Sequence, residues 1–144
     1  MMSESQSMKS FFVITQLVIV TLVLFFSVAY SMEKTGIEAS FQRFNQQWMQ
    51  GLYTREEKGK KNLVCKKVKG YYVAEYTGYS KTYSSTIKRT DCKETPYIGI
   101  LNYREKKFAS HAKTFEGTLH GPFNLIYECP VTEIFAFSNG EWRY

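Results

Sequence analysis

The chain is poor in the side chains that carry most enzyme chemistry. Among 144 residues it has two histidines, His111 and His120, one aspartate, Asp91, and three cysteines, Cys65, Cys92 and Cys129. Structural zinc sites bring their ligands in close pairs such as Cys-x-x-Cys. No such pair occurs, so a metal centre is not expected. A cysteine nucleophile needs a base and an oxyanion site around it. Cys92 can be written beside His111 or His120, but no third group falls into a recognisable frame. Glycine-rich phosphate loops are absent as well. Glu75 and Glu133 fall inside apolar stretches, where a buried carboxylate titrates high, but strand carboxylates more often face water. No catalytic residue and no cofactor is implied, and the expectation is a protein that is not an enzyme.

Other absences bound the architecture. No tract rich in proline, glycine or serine marks a linker, and no repeat is visible. There is no Asn-x-Ser/Thr sequon, so N-glycosylation is not offered. Charge is missing over one long run: the twenty residues from Phe11 to Tyr30 carry none. As a helix such a run rises ~30 Å, the thickness of a bilayer's hydrocarbon core. Residues 1–31 therefore read either as a signal peptide cleaved after Ser31 or as a single membrane anchor. Ala29 and Ser31 fit the small-x-small cleavage pattern, and Lys9, offset by Glu4, does not decide orientation. Either way residues 32–144 form one exported domain, periplasmic or secreted if cleaved and single-pass if not.

What remains is aromatic and basic. The whole chain has eleven Tyr and eleven Phe, and its formal net charge is +6. Most of the excess charge lies in one stretch: Arg55, Lys58, Lys60, Lys61, Lys66, Lys67 and Lys69 stand against Glu56 and Glu57. Such a field suits an anionic partner: an acidic protein, an envelope polymer or lipid headgroups. Nucleic acid is not expected of an exported chain. The plainer reading is a solvated loop and strand edge, where lysines discourage edge-to-edge pairing. Tyrosines crowd the next stretch, at Tyr71, Tyr72, Tyr76, Tyr79 and Tyr83. A tyrosine offers a flat apolar face and a polar tip, so Tyr71, Tyr76, Tyr79 and Tyr83 join Lys58, Lys60, Lys61, Lys66 and Lys67 as candidate partner-binding residues. Strand alternation sends some of these rings into the core regardless. Three cysteines leave one over in any pairing. Cys65 and Cys129, both in apolar strand-like runs, are the candidate bridge; three reduced thiols are the alternative.

Periodicity gives the fold class. Ile37, Phe41, Phe44, Trp48 and Leu52 recur at helical spacing, with Gln42, Arg43, Gln46, Gln47 and Gln50 on the opposite face. Thr35 and Glu38 form a capping box, and Gly51 is a plausible left-handed stop. A helix is expected from about Gly36 to Gln50, with a fraying extension toward Glu57 as the alternative end. After Gly59 the residues are strand formers, in runs at 62–69, 71–77, 79–89, 97–104, 108–115, 123–129, 131–137 and 141–144. Asn139-Gly140 between aromatic strands is a strong hairpin signal. No later segment resembles a crossover helix, so antiparallel neighbours are the simplest topology. The expectation is an α+β domain, with the amphipathic helix packed on a curved antiparallel sheet of about six strands. Cystatin-like and NTF2-like domains share that architecture by analogy only, and the Gln-x-Val-x-Gly motif of cystatins is absent. A small β-barrel plugged by the helix is the alternative. The functional expectation is an exported, non-enzymatic binding or adaptor domain using segment 55–69. A membrane-anchored structural subunit of an envelope assembly, or a small hydrolase, are the rivals.

Overall fold

The expected helix is present and longer than its spacing predicts. In the computed structural model, which describes residues 35–144, α1 covers 35–61. Thr35 is already helical, and Gly51 does not stop the helix. Gly51 is exposed, and its absent side chain faces open space. Two residues beyond it hold the helix together, because Leu52 and Glu56 are both buried. Their burial outweighs the ~1 kcal/mol that an interior glycine costs. The end comes at Asn62, whose backbone N–H and side-chain amide both donate to the Lys58 carbonyl, at 3.1 and 2.9 Å. The buried face is also turned from the expected stripe. Its centre runs Phe41, Asn45, Met49, Leu52 and Glu56, while Phe44 and Trp48 lie to one side.

The strands are β1 (Cys65–Val68), β2 (Tyr71–Tyr79), β3 (Ser84–Arg89), β4 (Tyr97–Ala112), β5 (Asn124–Ser138) and β6 (Glu141–Arg143); α2 (Phe115–His120) stands between β4 and β5. All pairings are antiparallel, in the order β1-β2-β4-β5-β6, and β3 also pairs with β4. The whole is an N-terminal helix on a curved, open, six-stranded half-barrel. β1 and β6 do not meet, so the closed barrel expected as the alternative is not formed.

β2 and β3 act as one interrupted strand. Tyr72–Tyr79 lie opposite Glu105–Ala112, and Ser84–Arg89 lie opposite Tyr97–Asn102 on the same side of β4. Ser80 stitches the break. Its N–H donates to the Arg104 carbonyl at 2.9 Å, and its hydroxyl accepts from the Arg104 N–H at 3.0 Å while donating to the Thr82 carbonyl. Because both backbone groups of Arg104 point toward Ser80, its partner Pro130 turns its own backbone to the other edge of β5. The missing N–H of proline therefore breaks no ladder bond. That is why the runs expected separately at 123–129 and 131–137 are one strand. Run 97–104 and the run expected at 108–115, as far as Ala112, likewise merge into β4. The end of the second run is helical instead: Thr114 caps α2 by accepting from the Gly117 N–H at 3.1 Å.

The two shortest hairpins share one turn. Asn139-Gly140 and Lys69-Gly70 both hold positive φ at each central residue, 52° and 81° in the first, 48° and 88° in the second. That is the geometry of a two-residue type I′ turn.

The core forms where α1 crosses β4, β5 and β6. A Cβ added to Gly99 would collide with the ring of Phe41. Phe41 also meets Trp142 at 4.4 Å between ring centroids, and Phe44 and Trp48 meet Phe135 edge-on at 4.8 and 4.9 Å. At the far end of the sheet α2 closes the concave side. Thr118 is fully buried, and its hydroxyl donates to the carbonyls of Tyr72 and Thr114.

The membrane expectation is corrected. Among the described residues no helix is long and apolar enough to cross a membrane. The transmembrane helix, the membrane as a partner through residues 11–30, and the single-pass localisation are therefore not carried further. The signal-peptide and anchor readings fall on residues 1–31, outside the described residues.

Two glycine substitutions test this packing in opposite directions. Gly99→Ala forces the Phe41 ring from its seat and is expected to cost about 1–3 kcal/mol. Gly51→Ala adds a methyl group into open space on an exposed helix face and is expected to gain about 0.5–1 kcal/mol. Denaturant melts of the two variants beside wild type check both signs.

Candidate functional site

Segment 55–69 starts in the last two turns of α1 and ends in the β1–β2 turn. Its charges do not all remain available. Glu56 is 6% exposed and gathers three partners, two of them hydrogen-bonded. Lys60 lies 2.7 Å from its Oε1, Lys81 lies 3.6 Å from its Oε2, and the Tyr79 backbone N–H donates to Oε2 at 3.2 Å. Burial pushes the Glu56 pKa up, but these contacts, led by the Lys60 hydrogen bond, outweigh it and hold the carboxyl below its ordinary value. The same hydrogen bond raises the Lys60 ammonium. Lys60 also contacts Glu57 at 3.0 Å and lies 5.4 Å over the Tyr76 ring. Lys60 is thus a structural cation that ties α1 to β2.

The other candidates divide by position. Lys58 and Lys61 are exposed on the last turns of α1, where cations offset the negative end of the helix dipole. Lys66 and Lys67 are neighbours on β1, so their side chains leave on opposite faces. Lys67 lies 5.6 Å over the Tyr72 ring. Lys66 lines a groove of about 290 Å³ together with Val64, Val68, Val73 and Glu75. The groove's carboxylate is already matched, since Lys107 lies 3.0 Å from Glu75. Val64 is 69% exposed and Val68 49%, an apolar floor open to water. Lys58, Lys61, Lys66 and Lys69 have no ion pair among the described residues.

The tyrosines do not form one cluster. Tyr71 is half-exposed beside the groove, opposite Val68. Tyr76 stacks on Phe108 and leans on Phe123. Tyr79 packs edge-on against Tyr103. Tyr83 stands at a second, broad depression of about 390 Å³ on the sheet, with Asn102, Arg104 and Pro130. The break at residues 80–83 separates Tyr83 from the rest, which sequence spacing alone could not show.

The remaining chemistry-bearing residues are dispersed. All three cysteines are free thiols. Cys65 and Cys129 lie on β1 and β5 with β2 and β4 between them, three strand spacings or ~14 Å apart. A bridge needs Cα atoms within about 7 Å, so the expected Cys65–Cys129 pairing is corrected. Cys92 lies in the turn before β4, its thiol 3.2 Å from Glu94. His111 is near the other end of that sixteen-residue strand, and His120 pairs with Glu116, so neither histidine stands beside the Cys92 thiol. Tyr103 donates to Glu133 at 3.0 Å, and burial, then that carboxylate, raise the phenol's pKa. Glu75 and Glu133 are each committed to a different partner. Asn45 is 1% exposed with neither amide atom hydrogen-bonded; nothing in the structure explains it. Among the described residues no three His, Cys, Asp or Glu side chains group as metal ligands.

Glu56 gives a pH test. Its folded pKa lies below its ordinary value of 4.5. Its contribution is therefore full above that value and is lost as pH falls through the lower folded one. Glu56→Gln keeps an acceptor for Tyr79 but loses the charge, and is expected to cost about 1–2 kcal/mol at pH 7. The gap between wild type and variant is expected to close on acidification below about pH 4 in urea melts. Comparison with protein-family models, with curated proteins and with solved structures finds no match.

Proposed function

We propose that this domain is a non-enzymatic binding or adaptor module that holds an anionic partner through segment 55–69. The observation that carries this is the run of unpaired lysines, Lys58, Lys61, Lys66 and Lys69, along the α1 end and the β1–β2 hairpin, beside a groove floored by Val64, Val68 and Val73. Exposed charges of one sign steer an oppositely charged partner, and a neighbouring apolar floor adds area to bury.

Lys69 strengthens the reading. It occupies the first position of a type I′ turn, at φ 48°, where an L side chain other than Asn or Asp is held at a cost of roughly 1 kcal/mol. The equivalent turn at the far edge uses Asn139 instead. A lysine at a position where asparagine fits better is consistent with a role for its charge.

Two measurements on the full-length protein test this. Poly-L-glutamate serves as the anionic probe, in titrations at ~0.1 M salt, where surface charges still act over ~10 Å. The combined variant K58Q/K61Q/K66Q/K69Q is expected to bind the probe about tenfold more weakly or worse, while staying folded with a thermal midpoint lowered by only a few degrees, as the lost helix-end cations require. Equal affinity of variant and wild type would overturn the proposal. Lys69→Asn alone is expected to raise stability by about 0.5–1 kcal/mol while lowering affinity for the probe.

A further inference from the structure

Lys66 and Lys67 point to opposite faces of β1, so no surface patch can hold both. They share only the strand edge between them. No strand covers that edge: β1 ends the sheet order and pairs with β2 alone among the described residues, though α2 also approaches β1. Its polarity follows from the turn. Lys69-Gly70 closes a two-residue hairpin, so Val68 and Tyr71 exchange both backbone hydrogen bonds, and so do Lys66 and Val73. The N–H and C=O groups of Cys65 and Lys67 therefore face outward with no strand beside them.

We infer that the free edge of β1 takes up an extended acidic segment of a partner protein by strand addition, an inference that rests on the anionic-partner reading above. The pattern of the guest follows from the edge. On the face of the groove the edge shows Val64, Lys66 and Val68, so the guest presents apolar, acidic and apolar side chains there, two residues apart. On the opposite face it meets Lys67, which calls for a second acid between. A core of the form Val-Glu-Glu-Thr-Val satisfies both faces. Like edges repel: two copies of this chain would set lysine against lysine, which argues for a different protein as guest rather than a second copy.

The free edge of β5 makes a poorer dock. β6 covers only Ala136–Ser138 of β5. Beyond that stretch Pro130 turns its missing N–H toward the open side, so an added strand finds a gap in the donor row.

The probe is a short capped peptide with the core Val-Glu-Glu-Thr-Val, titrated against the full-length protein and followed by amide NMR. Wild type is expected to bind it with slowed hydrogen exchange at the Cys65 and Lys67 amides. Cys65→Pro removes one outward donor at the first residue of the strand and no charge. It is expected to weaken peptide binding about tenfold while leaving poly-L-glutamate binding unchanged, and Cys65→Ala is expected to keep both. If Cys65→Pro melts early, a peptide N-methylated on alternate amides replaces it, since that peptide keeps every side chain and loses the ladder. Peptide binding indifferent to both changes, or no peptide binding by a protein that still binds poly-L-glutamate, overturns strand addition and leaves the anionic reading intact. Poly-L-glutamate binding indifferent to K58Q/K61Q/K66Q/K69Q removes the anionic reading itself.

Discussion

The ring of Phe41 lies where a side chain at position 99 would be, and the position of α1 over the sheet follows from that contact. An interior packed at crystal-like density has few ways to seat an aromatic ring. Gly99 on the central strand lets α1 approach closely, and Trp142 and Phe135 close on Phe41 from the neighbouring strands. Helix depth and rotation are fixed together. Met49 and Leu52 then reach the core about two and three turns later, and the helix arrives over the end of β2 with Glu56 facing inward.

Glu56 does at that end what Phe41 does at the start. A carboxylate at 6% exposure is tolerable only when its charge is matched and hydrogen-bonded, and Lys60, Lys81 and the Tyr79 N–H supply this. The same contacts sort the basic segment. Lys60 is used in holding the fold, so the cations left for a partner are those before and after it. The chain turns from α1 into β1 across residues 62–64 only, and that short passage carries the lysines of the helix end directly to an edge strand.

Much of this was legible from residue spacing, and the failures have physical causes. The stripe from Phe41 to Leu52 announced the helix, and Asn139-Gly140 its hairpin, because both signals are local. Gly51 misled because propensity is worth about 1 kcal/mol and tertiary burial of Leu52 and Glu56 exceeds it. Pro130 divided β5 on paper because its harmlessness depends on which edge its nitrogen faces, set by Arg104 on the next strand and Ser80 beyond it. The tyrosines read as one group because sequence distance is blind to the break at residues 80–83. Cys65 and Cys129 looked alike by their apolar neighbours, but strand order, which periodicity does not encode, puts β2 and β4 between them. Of the site, the lysines could be named and their division could not: only the register of β1 on β2 places Lys66 in the groove and Lys67 over Tyr72.

An exposed edge strand must avoid pairing with its own kind, and lysines on it serve that end by repulsion. The same charge is not neutral toward other strands. Whatever penalty two β1 edges exert on each other becomes an attraction when the incoming strand is acidic, since the Coulomb interaction changes sign and not size. Under the proposed strand addition, protection and recognition are one property of Lys66 and Lys67 seen by different partners. Two of this sheet's edges illustrate the difference. Pro130 protects β5 by withdrawing a donor, which excludes every guest alike. Lysines protect β1 by charge and leave its backbone groups intact, which excludes only guests of the same sign.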